Sequence, residues 1–567
     1  MVYIKQNPCR KLFWQTETEA EMILSLIICA VISFILFYVA LPPLNFQSVQ
    51  FWVFLILVLL IFGFGILFRL ARTQGRKFGK KGKTAERDPQ YEANVKKGEK
   101  RIVAFPFIAI GVIVVIVLIF SALSSHILRA NDYANLIRDN IVRKDISEYT
   151  PTIDNVPLMD RNTAELLASR TMGSLVEEVS QFDLGRSIQI NYKGKPVRVV
   201  PLEYAGFFKW INNRASGIPS FISVDMKTQK TEIHTIEGGM RYTPSGYFGD
   251  DLRRHLRFRY PTYMMSDPVF EIDENGNPYW VVSKLKHRVG PFGGTDVDGI
   301  LIVDAVTGHI EEYTMDNIPL HVDNAIPVDV LLDLYNNFGK YQGGFWNAQF
   351  GQKNVVQVTE GYNYIPKDDD IYVYTGVTSV VSDESNIGFI FVNMRTKEYE
   401  YYEIAGAEEF SAMASAEGVV QHLGYDATFP LLLSIEGQPT YCVALKDAAG
   451  LVKMYGLVNM SQYQIVVTGN SIDECLRNYR TALKNNGQTV DDQPLNRKTG
   501  VTEDIRTGSV DGTTVVYIRF EGDANYYAFS LSDSQDAILI NVGDRVTFES
   551  GEPEAGSRII PAYLLTD

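Results

Sequence analysis

Residues 22–41, 51–68 and 102–123 contain no Asp, Glu, Lys, Arg or His. As helices, runs of that length cross about 30 Å of hydrocarbon. One end of this chain must therefore fold in a bilayer. Charge divides at the same place: residues 1–125 carry 15 Lys/Arg against 7 Asp/Glu, and the remainder 38 against 60. A net +8 is joined to a net −22, the balance expected of a membrane anchor carrying a large acidic soluble part.

The loop 69–101 holds Arg69, Arg72, Arg76, Lys77, Lys80, Lys81, Lys83, Arg87, Lys96, Lys97, Lys100 and Arg101, opposed by Glu86, Asp88, Glu92 and Glu99. A loop so basic stays cytoplasmic, while the uncharged connection 42–50 suits the outer face. The expected topology is N-terminus inside, basic loop inside and everything after about residue 124 outside, at the cell membrane. The first run leads straight into Leu-Pro-Pro without a small-residue cleavage site, so it reads as an anchor and not as a cleaved signal peptide. The basic loop reads as a topology determinant before a clamp on anionic lipid or nucleic acid. No Asp, Glu, Lys, Arg or His sits within a span, so the proton relay or ion site of a transporter has no candidate. Gly63, Gly65 and Gly111 would let helices approach closely.

The exterior, about 440 residues, is too long for one core. Self-similarity divides it. Phe-Ile-Ser-Val-Asp-Met-Lys-Thr at 221–228 aligns with Ile-Leu-Ile-Val-Asp-Ala-Val-Thr at 300–307, with Phe-Ile-Phe-Val-Asn-Met-Arg-Thr at 389–396 and with Tyr-Gly-Leu-Val-Asn-Met-Ser-Gln at 455–462. Asp225, Asp304, Asn393 and Asn459 fall where a hairpin corner needs a short side chain that bonds its own backbone. Two of the four are Asn, which argues against a catalytic role for the aspartates. Helix-like stretches at 162–179, 249–258, 327–338 and 407–423 precede the corners, and alternating strands surround them, such as 268–272 with 279–285 and 429–435 with 440–445. The expected fold class is α+β: three transmembrane helices, then repeated units of one helix and an antiparallel sheet, at 126–240, 241–318, 319–404 and 405–487.

This helix-plus-meander unit, with a corner like Val-Asp-Ala-Val-Thr-Gly at 303–308, resembles the PepSY domain, a module of bacterial extracytoplasmic proteins associated with peptidase inhibition or envelope signalling. Stretches such as Gly-Gly-Thr-Asp-Val-Asp-Gly at 293–299 and Ala-Gly-Ala-Glu-Glu-Phe-Ser-Ala-Met at 405–413 are similar to a family of multi-pass envelope proteins of Gram-positive bacteria. The resemblance implies an envelope location and supplies no activity.

A helix at 471–484 leads through a polar linker to strand-like runs at 515–520, 526–531, 537–541, 545–548 and 559–564. The tail, 488–567, reads as a linker and a small β-barrel that looks OB-like. Its last 67 residues carry 4 Arg and no Lys against 12 acids, which repels phosphate and argues against nucleic acid.

Seven scattered histidines give no zinc spacing, and no nucleophile-elbow, P-loop or dinucleotide glycine pattern occurs. No catalytic residue, resident metal or cofactor is expected. Among acid clusters at 273–275, 296–298 and 368–370, Asp296 and Asp298 are the calcium candidates, against the commoner reading of solvated turns. Cys442 and Cys475 either bridge a strand to a helix or remain two buried thiols. The segment 335–350 packs aromatics among Gly, Asn and Gln, and Tyr341, Phe345, Trp346 and Phe350 are its candidate contact surface for a peptide or glycan, against folding back as a mini-core. The leading expectation is a non-enzymatic, membrane-anchored binding or assembly protein presenting a rod of four units to another envelope protein, a peptide or wall material. The alternatives are a regulator or enzyme of cell-wall or protease processing, for which a buried acid pair would speak, and an accessory subunit of a membrane complex.

Overall fold

The computed structural model describes residues 8–78, 89–148, 156–175, 178–367, 369–380, 382–488, 497–510, 513–531, 534–551 and 558–565. Helices Pro8–Ala40, Val49–Phe78 and Pro89–Leu123 carry the apolar runs, and their stretches Ile23–Ala40, Val49–Arg69 and Val103–Leu123 are long and apolar enough to cross a membrane. Pro42 and Pro43 stop the first helix, because proline has no N–H to continue it and disfavours helix in the residue before it. The second helix packs between the other two. A Cβ on its Gly65 would lie 2.5 Å from Cys29 Sγ, and one on Gly63 would lie 3.3 Å from Pro106. Gly111, in contrast, has nothing within 4 Å, so it closes no helix contact. Of the basic loop, residues 79–88 lie outside the described residues.

The soluble part is mixed α and β, with four sheets of one connectivity. In each, two short strands pair with the same long strand, which pairs with a second long strand, which pairs with a last one. The long central pairs are Lys195–Tyr204 with Ile218–Asp225, Pro278–Val289 with Gly293–Asp304, Asp370–Ser379 with Ser382–Asn393, and Gln438–Lys446 with Val452–Asn459. The helices ahead of them are Arg161–Met172, Leu252–Arg259, Val328–Tyr341 and Glu409–Val419. The first of these stops well short of the expected residue 179, at Met172 before Gly173.

All four corners are built alike. Asp225 Oδ1 accepts the backbone N–H groups two and three residues on, at 2.9 and 2.8 Å, as do Asp304 at 2.8 and 2.7 Å, Asn393 at 2.8 and 2.9 Å and Asn459 at 3.0 and 2.8 Å. A side-chain oxygen that replaces a backbone acceptor is what an Asx turn requires, and Asp and Asn supply it equally.

Successive strand residues face opposite sides, so a middle sheet can bury both. Trp280 and Val282 enter the core of the first unit while Tyr279 and Val281 enter that of the third. Val373 and Ile371 face the second unit, and Tyr372 and Tyr374 face the fourth. The rod expected from sequence is not formed. Ala444 and Val452 of the fourth unit join the first unit's core, Lys446 Nζ lies 2.7 Å from Asp160 Oδ2, and Thr163 Oγ1 donates to the Gly450 carbonyl at 3.0 Å. The units curl back on themselves because the fourth sheet has apolar side chains to cover and the first unit's helix end is there to cover them.

Residues 126–144, placed by sequence with the first unit, run with the third. The helix His126–Asn135 meets Val328–Tyr341 through the contact of His126 with Asn337, and the strand Ile141–Lys144 adds in parallel to Tyr399–Ala407. At the C-terminus five strands close a barrel in the order Arg497–Val510, Thr513–Phe520, Tyr526–Ser530, Ile559–Leu564, Arg545–Ser550, with the third and fourth of that ring parallel. Two details correct the sequence reading. The stretch 537–541 is not a strand; Gln535–Leu539 is a 3-10 turn that buries Ala537 and leaves Leu539 outside. The missing strand is Arg497–Val510, whose polar composition reads as linker. It serves two partners by bending past Gly500, where a Cβ would come within 2.7 Å of Phe520.

Candidate functional site

The second unit sits directly on the end of the helical bundle. Its helix Leu252–Arg259 lies against the first apolar helix: Phe258 packs edge-on to Phe37 at 5.8 Å, and the Arg254 guanidinium lies 4.2 Å from the centre of the Tyr38 ring. Arg257 is buried in the joint. Its Nε donates to the Leu41 carbonyl at 3.0 Å, and its Nη1 to the Tyr263 and Tyr260 carbonyls at 2.5 and 3.3 Å. Burial lowers its pKa to about 10, so it stays charged at neutral pH, and among the described residues no carboxylate pairs with it. The carbonyls ending the first helix carry the negative pole of its dipole, which favours a cation there. Beside this joint Leu44 N–H donates to the Pro261 carbonyl at 2.7 Å, Asn45 Nδ2 to the Thr262 carbonyl and Gln47 Nε2 to the His287 carbonyl. Where the third helix leaves the bundle, Ser124 Oγ accepts the Phe292 N–H at 2.9 Å and Tyr133 O–H donates to the Ser124 carbonyl at 2.6 Å. A Cβ on Gly290, at φ +58°, would lie 2.6 Å from Ser124 Oγ, so glycine alone allows this approach. Because the soluble part meets the helices at residues 38–47 and 124, the helix ends 69–78 and 89–101 lie at the opposite end of the bundle.

The sequence singled out none of this joint. Its signal was there: Arg253, Arg254, Arg257 and Arg259 crowd seven residues of an otherwise acidic exterior.

The aromatic candidates lie nearby. Tyr341 stacks on His126 at 4.8 Å, and Asn337 Oδ1 lies 3.2 Å from His126 Nε2. Beyond it Trp346 and Phe350 are 68% and 78% exposed and stack on each other at 5.9 Å, with Phe345 edge-on to Trp346. Trp346 and Phe350 thus form an outward aromatic pair, while Tyr341 and Phe345 are half-buried and Tyr335 and Phe338 belong to the core behind them.

Asp296 and Asp298 are held by the chain's own cations. Lys397 Nζ lies 2.8 and 2.9 Å from the two Asp296 oxygens, and Arg288 spans Asp296 at 3.5 Å and Asp298 at 2.8 Å. A calcium ion there would have to displace both. Asp273 accepts the Asn275 and Asn277 N–H groups within a turn, and Asp370 is forked by Arg395 at 2.6 and 2.8 Å. Asp368 lies outside the described residues.

A buried acid pair does exist. Glu271 and Asp323 sit where the first three units meet, and burial raises the pKa of both. Glu271 is fully occupied, however: it accepts from Asn324 N–H and Nδ2 at 2.8 and 2.9 Å, Asp323 N–H at 3.2 Å and Tyr279 O–H at 3.0 Å. Asp323 accepts the Asn191 N–H at 2.7 Å. Donors that fill a carboxyl from all sides hold units together and leave no approach for a substrate. The one Ser–His contact among the described residues, Ser223 Oγ to His234 Nε2 at 2.7 Å, lacks an orienting acid, since Glu232 approaches the same Nε2, at 3.9 Å.

Cys442 and Cys475 are free, buried thiols, and burial pushes the Cys442 thiol up to about 12. Cys475 Sγ is committed to the Tyr455 carbonyl at 3.1 Å. No protein-family model matches the chain, and comparison with curated proteins gives no match.

Proposed function

We propose that the chain is a membrane-anchored binding or assembly protein without enzymatic activity. It holds four PepSY-like units and an OB-like barrel at a fixed place on the outer face of the cell membrane, with the N-terminus and basic loop in the cytoplasm. Its partner is another envelope protein, a peptide or wall material, and no nucleic acid. The observation that carries this reading is the Arg257 joint. A buried guanidinium shared between the Leu41 carbonyl, one residue past a spanning helix, and the loop 260–263 fixes the soluble part over the bilayer, which a freely tethered enzyme has no need of. The shared sheet connectivity and the four identical corners support the relatedness of the units, and the ring order with one parallel pair supports the OB-like reading.

The test is recovery of a crosslinked partner from wall-stripped cells in mild detergent, using the full chain and Arg257→Ala. Partner recovery is expected to fall in the variant while the units remain folded. Equal recovery, or turnover of peptide or wall fragments by the pure full-length protein, would overturn the reading. External protease should cut the units and spare the basic loop; the reverse would overturn the topology.

A further inference from the structure

We infer that the aromatic loop following Tyr341 is embedded in the headgroup layer of the bilayer, so that the soluble part grips the membrane with its own side chains as well as through its helices. The inference rests on reading the three apolar helices as spans.

Position is the first support. His126 is the third residue beyond Leu123, the end of the third apolar stretch, and it is held by Asn337 and Tyr341 in the last two turns of Val328–Tyr341. The N-terminal half of that helix is buried far from this point, with Leu331 giving its carbonyl to Tyr399 O–H in the third sheet. The helix therefore delivers its C-terminal end to the membrane side. Trp346 follows five residues later, at most about 17 Å of fully extended chain, and less here because residues 342–343 turn and 345–346 are helical.

Chemistry is the second. Residues 341–352 contain no charge, and Lys340 and Lys353 bracket them. Aromatic rings with amides, flanked by lysines, match the polarity gradient between hydrocarbon and water, where Trp and Tyr concentrate and lysine stems reach outward. A loop made to hold a protein through two stacked rings would gain most from a pocketed, water-excluding rim. Trp346 and Phe350 stand proud instead.

Continuity is the third. On the neighbouring helix His126–Asn135, Ile127 and Leu128 also point outward, 59% and 64% exposed, one turn beyond the span. Ile127 and Leu128 thus add exposed apolar side chains just past the third apolar stretch, on the helix that His126 ties to Tyr341, and the proposed embedding places the bilayer over them as over Trp346 and Phe350.

The experiment uses the full chain in a Cys9→Ser background, in nanodiscs of phosphatidylcholine and phosphatidylglycerol. A nitroxide is placed at Gln349→Cys, an exposed position between the two rings, and in a second sample at Phe34→Cys on the first apolar helix. Power saturation then compares accessibility to oxygen with accessibility to a water-soluble nickel chelate. Both labels should favour oxygen several-fold, and Trp346→Ala with Phe350→Ala should return the Gln349 label to water while the Phe34 label stays put. A Gln349 label that is nickel-accessible beside an oxygen-favouring Phe34 label overturns the inference alone, and leaves the loop as a protein-binding patch. A nickel-accessible Phe34 label overturns the reading of the spans, and the inference with it.

Discussion

Two of the joints in this molecule bury an ionisable group with no opposite charge beside it, and they do it in opposite ways. At the membrane, Arg257 is a cation surrounded by carbonyls. Between the units, Glu271 is an acid surrounded by N–H and O–H donors, with a second acid, Asp323, beside it. Each avoids the desolvation cost of an unsatisfied charge without an opposite charge. The difference lies in what each can do with a proton. Guanidinium keeps its charge even with a pKa lowered to about 10, so the membrane joint is indifferent to pH. The carboxyl pair can take up a proton, and the inter-unit joint is therefore the one that responds.

The largest expected effect is at the acid. Glu271→Ala would leave the Asp323 and Asn324 N–H groups and the Asn324 amide facing a hole, and breaking a buried polar joint of this kind costs about 3–5 kcal/mol. Denaturant unfolding of the full chain in detergent should show that loss in the transition of units one to three. A loss below about 1 kcal/mol would mean that the joint does not tie the units together.

Next comes pH. With both carboxyl pKa values raised by burial, the folded chain holds protons that the unfolded chain releases. Stability falls with rising pH wherever the native state binds more protons. The contribution is fully present below the ordinary values of 3.8 for Asp323 and 4.5 for Glu271, and is lost as pH rises through their raised values. Glu271→Gln should flatten that slope, because one member of the pair can no longer ionise. An unchanged slope in Glu271→Gln would assign the pH response elsewhere. Over about pH 4–9 Arg257 should add nothing to it, since both folded and unfolded states keep the proton.

At the membrane joint, Arg257→Lys keeps the charge and loses the fork that reaches Leu41 and Tyr263 together. The expected loosening is local: exchange of the Leu44 amide, bonded to Pro261, should speed up about tenfold, or about 1.4 kcal/mol, with little change in global unfolding. Unchanged exchange would show that the other contacts of the joint, Phe258 on Phe37, Arg254 on Tyr38 and the Asn45 and Gln47 hydrogen bonds, hold the seat without Arg257.

The contrast between the joints also explains what the sequence could tell. The three long apolar helices were legible because absence of charge over some 20 residues is a strong and local signal. The α+β character was legible from alternating strands beside helical periods. Neither joint was. Arg257 lies in a stretch that reads as a solvated basic helix face, and its burial depends on where the first helix ends, more than 200 residues earlier in the chain. Glu271 looks like an ordinary polar position of an edge strand, and only the fold places Asp323 and Asn324 beside it. The strand Ile141–Lys144 was missed for a related reason: parallel pairing with a strand over 250 residues away leaves no local signature. Composition left the aromatic loop open between a contact surface and a mini-core, and its place beside the end of the third apolar helix comes from the contacts of His126.

The smallest effect is expected at the corners, and there the comparison is between residues that do the same work. Asp225 and Asp304 use one side-chain oxygen to accept two backbone N–H groups, and Asn393 and Asn459 do the same with an amide oxygen. The carboxylate's charge is therefore dispensable and its acceptor is not. Asp304→Asn should shift the unfolding transition by less than about 0.5 kcal/mol, whereas Asp304→Ala, which strands the Val306 and Thr307 N–H groups at a partly exposed turn, should cost about 1 kcal/mol. Equal losses for the two substitutions would show that the charge matters after all, and that the two Asp corners differ in kind from the two Asn corners despite their matching geometry.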